Sequence, residues 1–161
     1  MLADSLTALQ ELAPFAALRS GRWSYAAVNA THIAGIALLF GAIVPLDLRL
    51  MGWRRSVPIA MLTRVLLPVA IGGLCLAIVA GFVLFTTRAV EYAALTLFQV
   101  KMALVACGVA NALLLHRAVQ WEAAQPVTGA MPPLRLRAAG ALSIALWLSV
   151  LVCGRMLAFV D

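Results

Sequence analysis

The sequence predicts an all-α integral membrane protein, a four-helix antiparallel bundle preceded by a short amphipathic helix. Three observations lead there. Hydrophobic residues make up 65% of the chain and charged residues 11%, whereas a soluble domain is nearer half apolar and a quarter charged. The apolar residues fall into four runs of roughly 20 or more, each enough for about 30 Å of hydrocarbon. The basic residues behind the net charge of +6 sit in short segments between those runs, where they act as topology signals. That placement sets nucleic acid aside as a partner and makes the lipid bilayer the first one.

Residues 1–22 form the amphipathic interfacial segment, and residues 23–161 the four-span transmembrane domain. Early acids and the lack of a continuous apolar core separate residues 1–20 from a cleavable signal peptide. Leu2, Leu6, Leu9 and Leu12 or Ala13 share one helical stripe, which suits a helix lying on the membrane surface. Trp23 and Tyr25 follow as interfacial aromatics. The first span runs from about Tyr25 to Leu46. The second runs from about Ile59 to Phe85, with Arg64 near its start and Pro68 as a kink. The third runs from about Ala93 to Leu115, and the fourth from about Leu134 to Phe159. The 122–133 connector is polar and contains proline. Glycines in every span (Gly35, Gly41, Gly72, Gly73, Gly81, Gly108, Gly140) let helix backbones approach or leave room for a flat cofactor.

The loops set the orientation. Arg49, Arg54, Arg55, Arg64, Arg117, Arg135 and Arg137 fall on one side, seven basic residues against five on the other. Those five are Arg19, Arg22, Arg88, Lys101 and Arg155. The positive-inside rule puts the first group in the cytoplasm and both termini outside it. Cys75, Cys107 and Cys153 are far apart in apolar runs and form neither a CxxC nor a disulfide framework.

Ionisable side chains inside a span are expensive and point to function. His32 lies about seven residues into the first span, Lys101 about eight into the third, and Arg155 about four from the end of the fourth. Alternating spans put all three in the outer leaflet, which suggests a polar pocket. His116 lies fifteen residues from Lys101, about 22 Å along the helix axis. That reach excludes a haem held by His32 and His116 together and makes His116 interfacial. Asp47 and Arg49 read as an ion pair, or as caps for neighbouring helices.

An imidazole in such a pocket is the commonest protein ligand of haem iron. Lys101 and Arg155 suit the propionates of a porphyrin, or Lys101 could approach the iron. The alternative is that His32 and Lys101 bond to backbone or water and only fix the packing. Copper is a second candidate, but Met51, Met61, Met102, Met156 and the cysteines lie at different depths and offer no chelating pair. No serine, histidine and acid converge for nucleophilic catalysis, and no glycine-rich phosphate loop is present.

Several elements resemble a bacterial family of small four-helix membrane proteins. They are His32-x2-Gly35-x5-Gly41, Asp47-Leu48-Arg49-Leu50-x-Gly52, Phe98-x2-Lys101 with Asn111, and Gly154-Arg155-x2-Ala158-Phe159. The likeness covers most of the chain from Trp23 onward, and the Asp-Leu-Arg-Leu-x-Gly element is its most specific part. That family is distantly similar to the copper-resistance protein D type and to the HemJ type of protoporphyrinogen oxidase. The HemJ type binds haem b and depends on a histidine in its first helix and a lysine in its third. His32 and Lys101 occupy the matching places. Phe98 stands where that type has tryptophan, and Asn111 and Ala112 stand where it has Tyr-His. The resemblance therefore implies haem ligation without porphyrinogen oxidation.

The expectation is a b-type haem protein of the bacterial inner membrane, multi-pass, with both termini periplasmic. His32 is the expected axial metal ligand. Lys101 is the second metal ligand or a propionate partner, and Arg155 a propionate or gate residue. Such a protein would move electrons between a membrane substrate, quinol or porphyrinogen, and a redox partner or larger complex. The alternatives are a non-enzymatic accessory subunit or assembly factor, and copper transport.

Overall fold

The computed structural model describes residues 2–12, 21–123 and 131–159, which form six α-helices and no strand. Helix α1 spans Leu2–Glu11, α2 Arg22–Leu50, α3 Ile59–Thr87, α4 Ala89–Ala94, α5 Thr96–Ala123 and α6 Leu134–Met156. A 3-10 turn over Leu157–Phe159 follows α6. Four segments are long and apolar enough to cross a membrane: α2, α3, Thr96–Arg117 of α5, and Leu134–Phe159. The number of spans expected from hydropathy is therefore met. Ala13 and Arg19 of the amphipathic segment, and residues 124–130 of the connector, lie outside the described residues.

Some boundaries differ from expectation for identifiable reasons. The third span begins at Thr96, not near Ala93, because Ala89–Ala94 makes its own short helix. Leu95, extended at φ −75°, ψ 119°, breaks the chain between them. Helices α2 and α3 run without interruption through Pro45 and Pro68. The end of α2 is fixed by Gly52, whose φ of +105° only glycine adopts freely. Its N–H bonds to the Arg49 carbonyl at 3.1 Å, and the Trp53 N–H to the Leu48 carbonyl at 2.9 Å. This is the Schellman pattern that closes a helix.

Arg49 does not pair with Asp47. Its Nε donates to the Val57 carbonyl at 2.7 Å and its Nη2 to the Arg55 carbonyl at 3.2 Å. The guanidinium thus serves the backbone of the following loop, which is neither the expected ion pair nor a cap on a neighbouring helix. Gly52 also lies against Met131, whose sulfur accepts from Arg55 Nη1 at 3.7 Å. That contact brings the segment before α6 against the loop between α2 and α3.

In lipid, helices associate through close packing rather than through an apolar driving force. The α2–α3 pair is built on glycine. A Cβ on Gly35 would stand 2.6 Å from the Ala77 nitrogen, and one on Gly73 would stand 2.5 Å from the Leu39 nitrogen. Helices α5 and α6 meet where the Trp147 indole covers Gly108, and where Asn111 Nδ2 donates to the Ala139 carbonyl at 3.1 Å. Gly140 of α6 packs on the backbone of Asp47, joining α6 to α2. Leu39, Ala42, Ala70 and Trp147 form the larger buried core, and Leu50, Leu115 and Leu136 a second. Helices α3 and α5 touch only sparsely. Helix α1 rests on α4 and on the end of α3, where Gln10 Nε2 reaches the Thr87 carbonyl at 3.5 Å.

Candidate functional site

His32 is wedged between α2 and α3. Its Nδ1 lies 2.8 Å from the Ala77 carbonyl oxygen, and a carbonyl can only accept. Nδ1 therefore carries the proton, and in the neutral ring Nε2 holds the lone pair. The ring fits because Gly81 has no side chain: a Cβ there would lie 2.8 Å from His32 Cε1. A histidine whose one nitrogen is tied to a backbone carbonyl is oriented in the way metal-ligating histidines usually are.

Lys101 of α5 reaches toward α6. A Cβ on Gly154 would meet its Nζ at 3.5 Å, and the Cys153 thiol is close enough to act on the amine. The lysine charge in turn acts on the His32 ring. The structure thus brings two of the three expected groups into one neighbourhood. Arg155 is not turned toward them. Its guanidinium lies 4.7 Å from the centre of the Phe159 ring, and the residue is exposed. Above Lys101, Phe98 stacks on Phe85 at 5.2 Å and on Tyr92 at 6.0 Å, an aromatic layer joining α3, α4 and α5.

The donor chemistry at His32 fits a haem: one imidazole with an oriented lone pair, and one amine on a different helix. Among the described residues, no three His, Cys, Asp or Glu side chains come together as a chelated metal ion would require.

A second polar place lies nearer the other end of the bundle, and the sequence did not announce it. A cavity of about 220 Å³ opens between α2, α3, α5 and α6, lined almost entirely by aliphatic side chains. Asp47, Thr63, His116, Ser143 and Trp147 are its polar members. Asp47 is only 4% exposed, and the Ser143 hydroxyl serves its carboxylate. Asp47 Oδ2 and Trp147 Nε1 are buried without a hydrogen-bond partner. Buried polar atoms are normally paired, and these two, on α2 and α6, are exceptions closed off from solvent. His116, expected at the interface, lines this same cavity. The sequence signal for Asp47 was its place in the Asp-Leu-Arg-Leu-x-Gly element. Nothing in the sequence tied it to Ser143 and Trp147.

Compared with protein-family profiles, characterised proteins and solved structures, the chain matches none.

Proposed function

We propose that the protein is a b-type haem protein of the bacterial inner membrane. Its four spans form an antiparallel bundle, and it takes part in electron transfer with a membrane-dissolved reductant. The observation that carries this reading is the bond from His32 Nδ1–H to the Ala77 carbonyl at 2.8 Å, which leaves Nε2 as a fixed electron-pair donor inside a span. His32 is the axial ligand. Lys101, on a different helix and near enough to act on the ring, is the second ligand or a propionate partner. Arg155, exposed at the end of α6 and lying over Phe159, would meet a propionate at the membrane surface only by turning off that ring. Bound there, the haem would supply one-electron chemistry, and the protein would supply ligation, orientation and exclusion of water.

The test is a visible spectrum of detergent-purified protein, oxidised and then reduced with dithionite. A Soret band with sharp reduced α and β bands is expected, and His32→Ala should lose it while still inserting. Full haem absorbance in His32→Ala, or a colourless wild-type protein made with ample haem, overturns the assignment.

A second reading is favoured by one observation. In the most apolar stretch of α5 only 6% of residues are buried, against 33% in α2. An accessory subunit of a larger membrane complex would cover that helix with a partner. Such a protein would purify colourless and together with other chains.

A further inference from the structure

The cavity of about 220 Å³ among α2, α3, α5 and α6 is mostly apolar, and its polar residues present little to it. Thr63 donates its hydroxyl to the Ile59 carbonyl at 2.9 Å, and Asp47 Oδ2 and Trp147 Nε1 are closed off from any accessible surface. A cavity of about 150 Å³ with aliphatic and aromatic walls stays dry and takes up an apolar guest. In a bilayer the guest at hand is an acyl chain.

Two of the lining residues are also open to the membrane, Ile71 of α3 at 54% exposure and Leu113 of α5 at 63%. Their helices are neighbours that touch only sparsely, so hydrocarbon can reach the space between them. An apolar cleft alone does not choose among lipids, but the charges beside it do. Arg64 precedes Leu67 by three residues and Ile71 by seven, on the same face of α3. Arg117 follows Leu113 by four residues on α5. Both arginines are exposed, and among the described residues neither has an ion-pair partner.

The two stand at the same end of the bundle, since Ile59 packs against the cluster that contains Leu115. From that level Arg117 lies two residues outward, about 3 Å, and Arg64 five residues inward, about 7.5 Å. Side chains tilt toward a helix N-terminus, which for α3 is the arginine-rich end, and a long stem lets the Arg64 head follow that tilt toward the interface.

We infer that the α3–α5 cleft binds one anionic phospholipid. The phosphate sits between Arg64 and Arg117, where the planar guanidinium fork matches its oxygens. One acyl chain lies against Leu67, Ile71 and Leu113 and enters the cavity. The inference goes beyond the haem reading and uses none of its residues.

The probe is phosphatidylglycerol against phosphatidylcholine with the same acyl chains. Equal amounts are added to the delipidated full chain in detergent micelles, and bound lipid is counted by native mass spectrometry. Wild type should retain phosphatidylglycerol roughly tenfold over phosphatidylcholine, the scale that two basic groups give at an anionic lipid surface. Arg64→Gln combined with Arg117→Gln should bring that ratio near one. Arg54→Gln combined with Arg55→Gln removes the same charge from the adjoining loop and should leave the ratio unchanged. Ala112→Phe, which fills the cavity, should lower retention of both lipids with helicity kept. Equal retention of the two lipids by the wild type overturns the inference. So does an equal loss of preference in the loop variant, which would mean charge attraction without a site, or undiminished retention in Ala112→Phe.

Discussion

Glycine decides where His32 can go. The imidazole reaches its acceptor on Ala77 only because Gly81 leaves the space open, with Nδ1 only 3.1 Å from where a Cβ would stand. A ring cannot yield there as the tip of a flexible chain can. Gly81→Val should therefore swing the imidazole off Ala77 and misdirect Nε2. Loss of such an orienting partner typically costs about 10- to 100-fold in metal affinity. A haem titration of the variant should show that loss with insertion unchanged, and wild-type affinity would refute the role given to the Ala77 bond. A similar steric argument separates two groups of glycines. At Gly35 and Gly73 a Cβ would meet backbone atoms of the facing helix at 2.6 and 2.5 Å, whereas Gly41 and Gly72 have nothing within 4 Å. Gly35→Ala should destabilise by about 1–3 kcal/mol through overpacking. Gly72→Ala should be neutral or gain up to about 1 kcal/mol from helix propensity. Reversible unfolding in mixed micelles measures both, and equal effects at the two positions would contradict the packing described.

The Asp-Leu-Arg-Leu-x-Gly stretch is one structural unit at the end of α2. Gly52 ends the helix, Arg49 holds the loop that follows, and Asp47 faces α6 across the cavity. Arg49→Met keeps a similar stem but leaves the Val57 and Arg55 carbonyls without their donor. Hydrogen bonds to a charged group contribute about 1.5–3 kcal/mol. A stability loss of about 2–3 kcal/mol is expected in the same unfolding assay, together with faster protease cleavage of the 51–58 loop. Arg54, at φ 52°, holds a left-handed backbone that costs a non-glycine residue about 1–2 kcal/mol. Arg54→Gly should accordingly stabilise the loop by roughly that amount. The unit also shows what was legible in the sequence. Hydropathy and rise per residue give each group's position along its helix, so the four candidate spans could be read directly. Rotation about the axis is set by which small residues meet across a helix pair, and one sequence does not specify that pairing. Asp47 was therefore visible as an acid at the inner end of the first span, yet its turn toward Ser143 and away from Arg49 was not. Arg155 shows the same limit, since its place near the end of the fourth apolar helix was legible but its turn onto Phe159 was not.

Orientation in the membrane decides which leaflet each site serves. The contact of Met131 with Gly52 and Arg55 sets the segment before α6 beside the α2–α3 loop, and Gln10 ties α1 to the end of α3. These contacts support the two arginine-rich segments sharing one side. The charge bias is sharper than seven against five suggests. Lys101 is within a span, and Arg88 is neutralised by Glu91 at 3.0 Å. With the arginine-rich side in the cytoplasm, the cavity beside Asp47 opens to the inner leaflet, and His32 lies about 22 Å away along α2, in the outer one. A chain with Cys75, Cys107 and Cys153 replaced by alanine, carrying a single cysteine at Ser56 or Val90, tests this. A membrane-impermeant maleimide applied to spheroplasts should label Val90→Cys at once, and Ser56→Cys only after lysis. The reverse pattern would turn the bundle over and put His32 and Lys101 next to a cytoplasmic partner. Labelling of both positions in intact spheroplasts would contradict the four-span crossing itself, since an odd number of crossings would then separate positions found on one side.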